Sequence, residues 1–496
     1  MDLTAWAARQ PEKVAVVDAS GTALTYGQLE ARSNRIAHLL RRLGLSAGDH
    51  LAVLSENTVD LFPIVWAAQR TGLLYTLVNW HLTADEAAYI VENCDARVLI
   101  ASGRLAELAA RLPAVERRLS FGAPVPGYDA LEPLLADQPE TPVEDQVEGY
   151  YMLYSSGTTG RPKGILPSLS AAPFGTGLSV DHLMADHFGF DAESVYLSPG
   201  PLYHAAPLGW SLGTMRSGGT VVLMDRFDAE SALRLIEAHR VTHAQFVPTM
   251  FVRMLKLEPE VRSTYDLGSL RLVIHAAAPC PVDVKRRMID WLGPILVEFY
   301  SGSEGVCFFM IDTATWLERP GSVGRSVLGT VHITDDEGHE LPAGEVGQVW
   351  FGDVPPFAYH HDAEKTATAY DHRGWTTLGD LGHVDQDGFL YLSDRRTDLI
   401  VSGGVNIYPR EVEDALIMHP EVADVAVVGL PDEDFGQRVH AVVTPAVGVA
   451  AGADLAERLT GYLRERIAGF KVPRTIAFGP IPRLPSGKIL RRHLID

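Results

Sequence analysis

Cysteine is scarce in this chain. Its three residues of that type, Cys94, Cys280 and Cys307, stand too far apart for a CxxC pair or for the Cys/His spacing of a zinc site. This argues against a disulfide framework or a zinc site, and small core hydrophobes are the expected role for all three. No uncharged apolar run reaches the roughly 18 residues that a membrane-spanning helix needs, so a membrane span is excluded as well. Met1-Asp2-Leu3-Thr4 lacks the basic stretch and following apolar segment of a secretory signal, so the expected location is cytoplasmic. Basic residues are in deficit: 42 Lys and Arg against 63 Asp and Glu give a formal net charge of -21, which argues against a nucleic-acid coat.

What is present is a globular composition, 46 % hydrophobic and 21 % charged, in 496 residues, too many for one ordinary core. Thr25-Tyr26-Gly27-Gln28 and Thr83-Ala84-Asp85-Glu86 are capping patterns that predict helix starts. Leu29, Ile36, Leu39, Leu40 and Leu43 mark one helical face after the first. Short apolar runs at Leu51–Leu54, Leu73–Val78 and Val98–Ala101 have the length of buried strands, and the rhythm is β-α-β. It returns after residue 215, with strands expected at Thr220–Met224, Thr242–Val247, Leu270–Ala276 and Ile295–Tyr300 and helices at Ala229–Ala238 and Val282–Trp291. The fold class is α/β, with two parallel-rich sheets in a large N-terminal domain, residues 1–394. Within it, about 321–394 reads as a β-rich, barrel-like subdomain broken by Asp335-Asp336-Glu337-Gly338 and Pro342-Ala343-Gly344.

Residues 395–496 read as a small α+β domain. It carries as many basic as acidic side chains, so the net charge belongs to the larger part. Lys471 to Arg492 is basic with no acid, which suits anionic small molecules better than a long polyanion.

The strongest chemical signal is Tyr154-Ser155-Ser156-Gly157-Thr158-Thr159-Gly160-Arg161-Pro162-Lys163-Gly164. Glycines permit close backbone approach, hydroxyls and free N–H groups can surround phosphate oxygens, and Arg161 and Lys163 supply charge. A polyphosphate is the expected ligand. The P-loop spacing is absent, and Pro162 interrupts any helix start. A surface loop rich in Gly and Ser would share the composition but not this order.

That loop resembles the signature of the adenylate-forming superfamily, which includes acyl-CoA synthetases, firefly luciferase and peptide-synthetase adenylation domains. The resemblance covers nearly the whole chain: Pro201-Leu202-Tyr203-His204, Tyr300-Ser301-Gly302-Ser303-Glu304, Gly374-Trp375-Thr376-Thr377-Leu378-Gly379-Asp380, Asp394-Arg395-Arg396-Thr397-Asp398, Gly403-Gly404-Val405-Asn406-Ile407-Tyr408 and Pro485-Ser486-Gly487-Lys488 follow in family order. Each alone is weak; six in sequence are strong.

The resemblance implies roles. Lys488 would enter the site from a mobile C-terminal domain and bridge carboxylate and α-phosphate; outside the motif it would read as a solvated lysine. Glu304 would hold Mg²⁺, with Thr158 or Thr159 helping. The nucleotide would lie among Ser155, Ser156, Gly157, Thr158, Thr159, Gly160, Lys163, Ala277, Ala278, Pro279, Tyr300, Ser301, Gly302, Ser303, Asp380 and Arg395, with Tyr300 stacking on adenine and Asp380 accepting from the ribose hydroxyls. Core packing is the alternative for Tyr300, and a surface ion pair for Asp380 or Arg395. His204 matches the position between the carboxylate site and the thiol channel, although a lone histidine is more often structural. The acid would be lined by Tyr203, His204, Phe246, Ala276 and Gly302. Gly403 and Gly404 would line a pantetheine tunnel, and Thr397 would be the hinge. Two departures stand out: the hinge position is usually Lys or Asp, and the residue after Tyr300, here Ser301, is usually Gly.

The expected activity is that of an ATP-dependent acid:CoA ligase, with ATP, Mg²⁺ and coenzyme A. It would act on a small-molecule acid, as a monomer or homodimer, without nucleic acid. The alternatives are transfer of the acyl-adenylate to a carrier-protein thiol or an amine, activation of an oxyanion such as nitrite, and, from another class, a nucleotide-binding regulatory protein without catalysis. No fused carrier domain follows Asp496, which favours diffusible CoA.

Overall fold

The computed structural model describes residues 2–155, 162–167, 172–395, 398–402, 405–432, 435–483 and 489–495. Two compact units emerge: Met1–Phe246, Leu257–Ile274 and Pro356–Ala367 form the first, and Val247–Lys256, His275–Pro355 and Thr368–Asp496 the second.

Local chemistry sets the helix starts of the first unit. The Thr25 hydroxyl accepts from the Gln28 N–H while the Gln28 side chain accepts from the Thr25 N–H, a reciprocal cap that opens the helix Tyr26–Arg42. Leu29, Ile36, Leu39 and Leu40 are its buried stripe. Leu43 corrects the expected face: it is the C-cap, because Gly44 follows at φ 86° and ends the helix. Thr83 and Glu86 form the same box before Ala84–Asn93.

Between such helices the apolar runs became buried strands. Asp129–Ala130, Arg117–Phe121, Ala96–Ser102, His50–Leu54, Leu74–Val78 and Tyr150–Tyr151 lie side by side in that order, all parallel. Every residue of Leu74–Val78 is buried, as a strand covered on both faces requires. A second sheet runs Val14–Asp18, Thr220–Leu223, Val195–Ser198, His243–Phe246, again parallel, with Ala23–Thr25 antiparallel at its edge. A small antiparallel sheet joins Tyr154–Ser155, Lys163–Leu166 and Ala358–Tyr359.

In the second unit the texture is antiparallel. Thr330–Thr334, Gly347–Gly352, Asp380–Val384, Leu390–Arg395, Ser322–Leu328, Phe308–Asp312 and Leu296–Tyr300 follow one another across one sheet. Further along the chain, Val422–Asp432 and Gly436–Pro445 make a long hairpin flanked by Ile400–Ser402 and, in parallel, Thr475–Phe478. Val412 and Leu416 of Pro409–Ile417 and Leu455, Leu459 and Leu463 of Ala453–Arg464 pack on it, so residues 400–478 hold a hydrophobic core of their own. All three cysteines are free and buried.

Candidate functional site

The strand pair around the glycine- and threonine-rich loop is in register, with Ser155 opposite Lys163 and Tyr154 opposite Gly164. Lys163 Nζ lies 5.5 Å from the centroid of the Tyr359 ring. Ser156, Gly157, Thr158, Thr159 and Gly160 lie outside the described residues, as do Thr397, Gly403, Gly404 and Lys488.

Tyr203 and His204 sit between the strand Val195–Ser198 and the helix Ala205–Arg216. Their loop is held by Asn57, a buried side chain whose amide donates to the carbonyls of Gly200 and Met224 at 2.9 and 2.8 Å and whose Oδ1 accepts from the Leu202 N–H at 2.9 Å. Sequence reasoning missed Asn57, because one asparagine after a strand forms no pattern. His204 occupies the N-cap position yet makes no cap bond with its side chain. Instead its Nε2 and the Tyr203 hydroxyl are buried without a hydrogen-bond partner among the described residues, and the two rings lie 4.7 Å apart. His81 meets Tyr203 edge-on at 6.4 Å. Burial pushes His204 down to about 4, so it is neutral at physiological pH. Two unpaired buried polar atoms each cost roughly 1–3 kcal/mol, and a ligand supplying an acceptor would remove that cost. Phe246 is 1 % exposed at the end of His243–Phe246, with Phe227 edge-on at 6.3 Å.

In the second unit two predicted residues meet, and a third is paired with one of them along the backbone. The Tyr300 hydroxyl donates to Asp380 Oδ2 at 2.5 Å, and Asp380 stands opposite Arg395 across the antiparallel pair Asp380–Val384 and Leu390–Arg395. The Tyr300 ring also packs beside Phe309 and Phe351, with centroids 6.0 and 6.3 Å away, so the core contact weighed for it is real. Asp380 is buried. Ser301, the departure from the family glycine, has a structural use: its hydroxyl donates to the Cys307 carbonyl at 2.6 Å and closes the turn after Tyr300. At Gly302 a Cβ would fall 2.7 Å from the Leu378 side chain and 2.9 Å from Glu304 Oε2, so a larger residue would have to displace the ends of these two side chains. Ser303 is exposed and Glu304 half-buried.

Ala276 is buried at the end of the strand Leu272–His275, whereas Ala277 and Pro279 are exposed and Ala278 half-buried. Ala277 adopts φ 73°, a left-handed conformation that costs a non-glycine residue roughly 1–2 kcal/mol. Beneath this turn Lys285 Nζ pairs with Glu298 Oε2 at 2.6 Å, both buried, and His275 Nε2 stands 3.7 Å from the same oxygen. Burial, reinforced by the Lys285 charge, holds His275 well below the ordinary histidine range. In sequence Lys285 looks like any solvated residue of the helix Val282–Leu292, so its burial was not legible there.

The buried Asp380 carboxylate held by Tyr300 and the Tyr203–His204 pair are the polar features that the described residues show at the expected positions. The AMP-binding enzyme profile matches residues 3–354, and the AMP-binding enzyme C-terminal domain matches 411–488. The chain belongs to the AMP-binding enzyme family. Within this adenylate-forming family it is 34 % identical to the fatty acid–[acyl-carrier-protein] ligase ScoC of Streptomyces coeruleorubidus, over 99 % of this chain and 94 % of that one. It is 35 % identical to a feruloyl-CoA synthase from an Amycolatopsis species, over 98 % and 96 %. The o-succinylbenzoate CoA synthetase MenE from Bacillus subtilis, solved with its acyl-adenylate intermediate, superposes with a TM-score of 0.83 at 27 % identity, covering 100 % of this chain and 97 % of that chain. The recognition made from six motifs is thus that of the family, and the fold is the family's α/β fold. No helix among the described residues is long and apolar enough to cross a membrane.

Proposed function

We propose that this AMP-binding enzyme is an ATP-dependent acid:CoA ligase. A carboxylate oxygen attacks the α-phosphorus of ATP, the bond to the β-phosphate oxygen breaks, and acyl-AMP and pyrophosphate form. The CoA thiol then attacks the acyl carbon, AMP leaves, and the thiol proton is released. The observation that supports the nucleotide half is the bond from Tyr300 to Asp380, which come from separate strands, with Arg395 in backbone register opposite Asp380. A buried Asp380 carboxylate with one oxygen held by Tyr300 retains acceptor capacity for the two ribose hydroxyls.

Acid binding is assigned to Tyr203, His204, Phe246, Ala276 and Gly302. A neutral His204 suits both stages: it can donate to the incoming carboxylate, and it leaves no buried cation stranded when that charge is lost in the adenylate. The loop Ser155 to Gly160, with Lys163, is assigned to the phosphates, and Ala277, Ala278, Pro279, Ser301, Gly302 and Ser303 to the adenine side. Glu304 is a hard oxygen donor of the kind Mg²⁺ takes when it shares its shell with phosphate oxygens, and Thr158 is its assigned helper. Bound there, Mg²⁺ would neutralise phosphate charge. Lys488 is assigned to the first step only, bridging carboxylate and α-phosphate. Rotation of residues 395–496 about Thr397 would then withdraw it and bring Gly403 and Gly404 to the pantetheine arm.

The likeness to ScoC supports a second acceptor, the thiol of a separate carrier protein. The test is acid-dependent ATP–pyrophosphate exchange over a panel of medium-chain, aromatic and polycyclic acids, followed by mass spectrometry with CoA or a holo-carrier protein. Acid-dependent exchange with an acyl-CoA product supports the proposal. Absence of exchange with every acid overturns it.

A further inference from the structure

Three side chains with no part in the proposed reaction converge in the first unit. Asp95, between the helix Ala84–Asn93 and the strand Ala96–Ser102, faces His360 and His361, which follow the strand Ala358–Tyr359. Asp95 Oδ2 is 3.1 Å from His360 Nε2 and 2.7 Å from His361 Nε2, and the ligand atoms of all three lie within 4.8 Å of one another. Two neighbouring histidines thus aim the same ring nitrogen at one carboxylate oxygen from a segment 265 residues away in sequence.

We propose that Asp95, His360 and His361 form a binding site for a divalent transition ion of the Zn²⁺ class. Two imidazole nitrogens and a carboxylate oxygen are the donor set that Zn²⁺ accepts, and it differs from the all-oxygen set suited to Mg²⁺. A tetrahedral ion with bonds near 2.0–2.2 Å holds its ligand atoms about 3.3 Å apart, so the spacing of Asp95 Oδ2 from His360 has to open by about 0.2 Å and that from His361 by about 0.6 Å. The ligands are supported from behind. The His360 backbone N–H donates to the Gly164 carbonyl at 2.8 Å, and the His50 ring packs 5.4 Å from that of His360. Asp95 and His361 are about half exposed, which leaves solvent to complete the coordination and a path for the ion to enter. A bound ion would tie the end of Ala84–Asn93 to the three-stranded sheet whose central strand, Lys163–Leu166, follows the phosphate-type loop.

The site was invisible in sequence because cysteine-based spacing was absent and the ligands come from distant segments.

The experiment uses the full chain without a histidine tag, stripped with a chelator, and titrates Zn²⁺ against a chromophoric competitor, with Co²⁺ as a spectroscopic substitute. Asp95→Asn and His361→Asn are the informative variants, because both positions have positive φ (53° and 55°), which asparagine tolerates, so the backbone is preserved. The expected result is one equivalent of Zn²⁺ in the wild type, a raised unfolding midpoint, visible Co²⁺ ligand-field bands, and binding weakened by about a hundredfold or more in each variant, beyond what loss of a residue that only orients a ligand costs. No stoichiometric binding by the wild type, or equal binding by both variants with native circular dichroism, overturns the proposal. Acid-dependent ATP–pyrophosphate exchange by the stripped protein with Mg²⁺ reads the adenylation proposal separately.

Discussion

Tyr300 and Asp380, 80 residues apart, share a 2.5 Å hydrogen bond from the phenol to a buried carboxylate oxygen. The tyrosine therefore positions the acid proposed to hold the ribose, whatever its ring does for adenine. Tyr300→Phe keeps the ring and removes the donor. A bond to a charged group is worth about 1.5–3 kcal/mol, so KM for ATP should rise tenfold or more while the KM for the acid stays within about twofold. Steady-state pyrophosphate release checks this, and an unchanged KM for ATP removes Asp380 from the ribose site.

Lys488→Ala should abolish adenylation yet leave conversion of a chemically supplied acyl-adenylate with CoA near the wild-type rate. Single-turnover assays of the two half-reactions separate the outcomes. Equal loss of both in a folded variant contradicts the division of labour between them.

Ser301→Gly should cost about 1 kcal/mol of stability, the usual worth of a hydrogen bond, because the Cys307 carbonyl behind it is left without its 2.6 Å donor. Urea unfolding measures the change. A neutral or stabilising result means that this hydroxyl does not hold the turn.

Removing one member of the buried pair, as in Lys285→Met, strands the Glu298 carboxylate and should destabilise by about 3–5 kcal/mol. Adding Glu298→Leu should recover most of that loss, since two apolar side chains leave no unpaired charge. Thermal unfolding of the single and double variants decides whether the pair behaves as one unit.

Histidine burial predicts an acid-sensitive fold. His204 and His243 are pushed down to about 4 by burial, and burial together with the Lys285 charge holds His275 well below the ordinary histidine range. Below the unfolded value of about 6.5 the unfolded chain binds protons that the folded one refuses, so stability should fall as pH drops from 6.5 towards 4. Each such histidine adds up to about 1.4 kcal/mol per pH unit to the slope. Unfolding midpoints between pH 7.5 and 4.5 test this, and His243→Gln should flatten the curve; an unaltered slope assigns the sensitivity elsewhere.

The chain's own order of residues determined what local physics controls. The Thr25 and Thr83 caps act over three residues, the stripe Leu29–Ile36–Leu40 over a few turns, and the strand Leu74–Val78 over one apolar run, so all were legible before any fold was known. Motif order was likewise enough for the family. Tertiary structure alone decided the bond from Tyr300 to Asp380, the grip of Asn57 on the Tyr203–His204 loop, the burial of Lys285, and the meeting of Asp95 with His360 and His361. The reason is common to all of them. Desolvation and hydrogen-bond partnership depend on which distant segments close around a side chain, and no spacing along the sequence encodes that for a lone polar residue.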